Sequence, residues 1–103
     1  MAGKHAKTSA GDNEQRVQLP EDCRMAALAG LRDELIAALE RPSCMLDATA
    51  TIKVDTAAVQ LLAAFRRAAS ASGRKVSWHG VGEPLREAVA LLGLEQTLEL
   101  PAT

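Results

Sequence analysis

Three times along the chain, strand-like alternation gives way to apolar residues spaced three and four apart, with proline or glycine at most of the boundaries. That succession predicts an α/β fold: a mixed, mainly parallel sheet in βαβαβα order with helices packed on it. Strands joined through helices run parallel, with right-handed crossovers. A chain of 103 residues, 48% hydrophobic, suits one domain with a single modest core. One Phe, one Trp and no Tyr leave Leu, Val and Ala to fill it.

Residues 1–14, "MAGKHAKTSAGDNE", carry small and charged residues without periodicity and read as a mobile tail, so the domain is expected over residues 15–103. In "RVQLPEDC", Val17 and Leu19 alternate against Arg16 and Gln18, a short strand stopped by Pro20. Leu28, Leu31, Leu35 and Leu39 then form one stripe of a helix over Met25–Glu40. Pro42 cannot continue it, and Arg41 before the proline is pushed out of helical geometry.

"SCMLDA", residues 43–48, is short, apolar and bounded by breakers. It reads as a strand buried on both faces, with a buried helix fragment as the alternative. Residues 57–69 form a second helix, with Ala58, Leu61, Leu62, Phe65, Ala68 and Ala69 inward and Gln60, Arg66 and Arg67 outward. Gly73 suits the turn that follows. "KVSWH", residues 75–79, alternates Val76 and Trp78 against Ser77 and His79, a third strand. Pro84 suits the first position of a last helix, whose stripe is Leu85, Val89 and Leu92 and whose end is Gly93. The closing "TLELP" alternates again, the pattern of a short edge strand.

Composition narrows the function. A formal charge of −1, with no aromatics among the basic residues, offers nothing to nucleic acid. No apolar run approaches the roughly 20 residues of a membrane span, and the first residues do not resemble a signal peptide. Cys23 and Cys44, 21 positions apart, match neither a metal nor a redox spacing. The expectation is a cytoplasmic protein with reduced thiols, no cofactor and no direct membrane insertion.

Asp55-Thr56 stands at the carboxyl side of the second strand, where the next helix begins. Asp and Thr both make good helix caps, because their side-chain oxygens accept an unpaired amide of the first turn. A helix N-terminus also tolerates negative charge. A phosphate on Thr56 would therefore cost the fold little while changing the surface offered to a partner.

The segment "CMLDATATIKVDTAAVQLLAAFRRAASASGRKVSWHGVGEPLREAVALLGL" resembles the STAS domain family (sulfate transporter and anti-sigma factor antagonist), of the stand-alone bacterial type. Leu46-Asp47 stands for the family's strand ending. Asp55-Thr56, eight positions on, stands for its Asp-Ser or Asp-Thr pair, and Leu92-Gly93-Leu94 for its last helix end. "LRDELIAAL" fits the first helix more loosely.

The resemblance implies a non-enzymatic interaction domain. In the family's anti-sigma factor antagonists, a partner kinase that is itself the anti-sigma factor phosphorylates the hydroxyl residue after the second Asp. The phosphorylated form then releases its partner. Carried over, Thr56 is the phosphorylation site, Asp55 caps the helix and helps docking, and Ala57, Ala58 and Gln60 join the contact surface. Other relatives are small cytoplasmic subunits of lipid-transporting ABC complexes, or sit in signalling clusters. Three positions depart from the usual pattern: Thr56 replaces the commoner Ser, Ala58 replaces Gly, and the first strands are abbreviated.

The constitutive transporter subunit is the competing reading, and catalysis a third, with His79 as a base for Cys44 or Thr56. Catalysis lacks an orienting partner and an oxyanion turn. Trp78 is expected in the core and Cys44 as a small buried hydrophobe. The glycines around Val81 are too few for a phosphate-binding fingerprint.

Overall fold

The computed structural model describes residues 14–101; residues 1–13 of the tail expected over 1–14, and the last two residues, lie outside it. The elements are β1 (Glu14–Gln18), β2 (Asp22–Cys23), a 3-10 turn (Met25–Ala27), α1 (Leu28–Ala38), β3 (Ser43–Asp47), β4 (Lys53–Val54), α2 (Thr56–Ala71), β5 (Lys75–His79), α3 (Glu83–Leu91) and α4 (Glu95–Leu98). β1, β3 and β5 form a three-stranded parallel sheet with β3 central, and β2 pairs with β4 in a separate parallel pair. The α/β class and the parallel sheet are as the sequence predicts.

Register fixes the two faces of the sheet. Val17 lies beside Leu46 and Leu46 beside Trp78, with Cys44 beside Val76, so these side chains share one face. α1 packs on β1 and on α2, and α2 on β5. Val17, Cys44 and Leu46 are fully buried under them, together with Leu31, Leu35, Leu62 and Phe65. The other face carries Arg16, Met45 and Ser77 in one row and Gln18, Asp47 and His79 in the next. Arg16, Gln18, Ser77 and His79 are exposed, Met45 is half-buried and Asp47 is buried. No residue of β3 is exposed: Cys44 and Leu46 are buried on one face, while on the other Ser43 and Met45 are half-buried and Asp47 is buried.

Three expectations change. "TLELP" does not make an edge strand: Glu95–Leu98 is a short helix, capped by Glu99 in the left-handed region at φ 52. Burying Leu98 outweighs the local alternation, since that side chain is 0% exposed. The first helix begins at Leu28 after a 3-10 turn, and β1 begins at Glu14. Along α2, Ala68 is exposed and Ala63 buried, so the stripe lies one position round from the expected one. Alanine at both positions gave the pattern nothing to distinguish them.

No helix is long and apolar enough to cross a membrane, among the described residues.

Candidate functional site

Residues 47–56 carry the chain from the end of β3 to the start of α2. This loop is held at both ends. Asp47 Oδ1 accepts the Thr49 amide at 3.0 Å, and Oδ2 accepts Arg16 Nη2 at 2.9 Å. Those bonds from Thr49 and Arg16 hold the Asp47 carboxyl far below the usual carboxylate range. The Ala48 amide reaches His79 O at 2.9 Å, and Thr51, itself buried, donates its hydroxyl to Pro20 O at 2.9 Å. β4 then pairs with β2, which fixes where α2 begins.

Asp55 is the N-cap of α2: its backbone is extended, at φ −116 and ψ 175, and Oδ1 accepts the Ala58 amide at 2.9 Å. Its second oxygen is also used, accepting the Met25 amide at 2.9 Å from the 3-10 turn. The cap therefore ties the start of α2 to the 3-10 turn that leads into α1. Thr56 follows as the first helical residue, and its side chain is exposed.

Of the residues expected on a contact surface, Thr56 and Gln60 are exposed, while Asp55 and Ala57 are half-buried. Ala58 is not on that surface. It is 0% exposed, because the third helical position turns inward onto the core. The outward stripe of α2 runs instead through Thr56, Gln60, Ala64 and Arg67, spaced by three and four. Arg66, expected to point outward, is 12% exposed; it donates Nη1 to Val76 O at 2.9 Å and pairs with Glu99.

Beside the cap is a surface cavity of about 520 Å³ lined by Asp22, Arg24, Met25, Ala26, Ala27 and Asp55. Arg24 grips Asp22 through two bonds of 2.7 and 2.9 Å and also lines a neighbouring cavity with Ile52, Lys53 and Leu91. Met25 is 70% exposed, Ile52 56% and Leu91 87%, large apolar side chains left in water. Sequence reasoning missed all three. For Leu91 the signal was there, since it stands off the Leu85–Val89–Leu92 stripe.

The Cys44–His79 pair of the catalytic alternative separates in space. Cys44 pairs with Val76 and His79 with Asp47, three registers apart, on the order of 10 Å along the strands. The alternation also puts them on opposite faces of the sheet. The described residues contain no group of three or more His, Cys, Asp or Glu able to hold a metal ion.

A family model described as "Mlab, STAS domain" matches residues 6–101. The chain belongs to the STAS domain family. No curated protein and no solved structure matches it. The match spans Leu46-Asp47, Asp55-Thr56 and Leu92-Gly93-Leu94, the landmarks that carried the resemblance, and the parallel sheet with its helices is consistent with a STAS fold. STAS domains are generally non-enzymatic, and here Cys44 and His79 stand three registers apart.

Proposed function

We propose that this STAS domain is a regulatory interaction module resembling the anti-sigma factor antagonists, which docks a kinase-type anti-sigma factor or signalling protein and is switched by phosphorylation of Thr56. The observation that carries this reading is the exposed Thr56 at the first position of α2, beside an Asp55 whose two oxygens are both engaged. A phosphate there would sit at the positive end of the helix dipole without displacing a core side chain. It would meet the partner along Thr56, Gln60, Ala64 and Arg67, next to the apolar Met25.

The test is partner capture by wild type, Thr56→Ala and Thr56→Glu. Thr56→Ala binds and Thr56→Glu does not, both with unchanged far-UV circular dichroism. Capture by Thr56→Glu equal to wild type rejects the switch.

A second reading is favoured by the exposed Met25, Ile52 and Leu91, which suit a standing interface better than a transient one. In it the domain is a constitutive cytoplasmic subunit bracing the ATPase of a lipid-transporting ABC complex. It expects co-purification with an ATPase from membranes and no phosphate on Thr56 in intact-mass spectra from cells.

A further inference from the structure

The amino ends of the sheet strands, opposite the Asp55 end, hold a different chemistry. α2 closes at Gly73, whose φ of +72 allows the turn, and the Arg74 amide returns to Ala69 O at 2.8 Å. The Lys75 amide then reaches Pro42 O at 3.0 Å, starting β5 beside β3. These bonds set Arg74 and Lys75 on the rim of a cavity of about 570 Å³, whose wall includes Arg66 and whose polar lining includes Ser70 and Ser77.

Arg66 is the unusual member. Its side chain is 12% exposed, and its Nε is buried with no acceptor among the described residues. Buried guanidinium donors are normally satisfied, and a carboxylate or phosphate is the acceptor that matches their fork. Glu99 answers one nitrogen, and Val76 O another. Arg74 gives its Nε to Leu39 O at 3.0 Å, and Lys75 has no side-chain partner among the described residues. Among the described residues three cations line the cavity, with Glu14 in its lining and Glu99 paired to Arg66.

We propose that this cavity binds a small multiply charged oxyanion, a phosphate or sulfate group, through Arg74, Lys75 and Arg66. Nothing in it depends on Thr56, so it stands or falls apart from the proposed switch. Glu14 opposes the ligand and lowers affinity, which gives the site a signature of its own.

The probe is inorganic pyrophosphate, titrated into the full-length protein at constant ionic strength and followed by amide shifts, with phosphate and sulfate as separate arms. Saturable shifts are expected at Ser70, Arg74, Lys75 and Ser77. Lys75→Gln alters an exposed side chain while keeping the amide bond to Pro42, and should weaken binding by about tenfold, as loss of one charge-assisted contact implies. Glu14→Gln should strengthen it, and Thr56→Glu should leave it unchanged. Shifts that do not saturate, or affinity unmoved by both Lys75→Gln and Arg74→Gln, overturn the site. Equal response to chloride at matched ionic strength overturns it too.

Discussion

Asp55 and Met25, 30 residues apart in sequence, are joined by a 2.9 Å bond from the Met25 amide to Asp55 Oδ2, while Oδ1 caps α2 on the Ala58 amide. One carboxylate thus holds the first turn of α2 and the 3-10 turn ahead of α1. Asp55→Ala should cost about 1–2 kcal/mol in urea denaturation, the upper part of the range for a lost cap, because two amides lose their acceptor. Asp55→Asn keeps one acceptor oxygen and should fall between. If the alanine variant is as stable as wild type, water replaces both bonds and the cap does not organise the loop.

Asp47 makes the opposite end of that loop sensitive to acid. The Thr49 hydroxyl and amide and the Arg16 guanidinium all favour its charged form, so its folded pKa lies far below the ordinary value of 3.8. A depressed pKa contributes stability above the unfolded value, and that contribution is lost as pH falls below about 4. The urea midpoint should therefore drop between pH 5 and pH 2, and Asp47→Asn should flatten the slope while lowering the midpoint at pH 7. A variant retaining the full wild-type slope would place the acid sensitivity elsewhere.

These two contacts also mark where sequence reading stops. Elements bounded by Pro42, Gly73 and Gly93 were legible because breakers and leucine stripes act locally. The two-residue strands β2 and β4 were not, since two residues cannot display a period. Met45 is apolar yet only half-buried, while Cys44 and Leu46 beside it are fully buried, and register alone decides which side chains share a face. Thr56 and Asp55 were found through their place before a helical stripe. Met25, the third party to that cap, lies a whole helix away, and no local pattern links it to Asp55. The helical pattern put Ala58 inward, where it lies; only the carry-over from the family placed it on the contact surface.

Gly80 and Thr49 lock the β5–α3 loop against the β3–β4 loop. A Cβ at Gly80 would sit 2.0 Å from Thr49 Oγ1 and 2.9 Å from Thr49 Cα, and φ is +70. Gly80→Ala should therefore lose about 1–3 kcal/mol, the usual range for a strained left-handed residue. Adding Thr49→Ala should recover only part, because it removes the hydroxyl and leaves the backbone clash. Complete recovery would show that the side chain alone sets the approach.

Cys23 and Cys44 supply the alkaline counterpart. Both thiols are buried, at 1% and 2% exposure, and burial pushes each up to about 11 from an ordinary 9.0. Asp55 and Asp22 add to the shift at Cys23, and Glu14 at Cys44. At pH 8 about a thousandth of each thiol is ionised, so a disulfide reagent should react slowly with the native protein and at once in urea. A raised pKa contributes stability that is complete below the unfolded value, so the urea midpoint should fall as pH rises from 9 to 11. The chain has no Tyr to add a competing phenol in that window. Cys44→Ala should shrink the alkaline fall while costing stability at neutral pH through the cavity it leaves. Rapid labelling of the native protein at pH 8 would mean that local opening exposes the thiols, and that the sheet is less tightly closed than their burial implies.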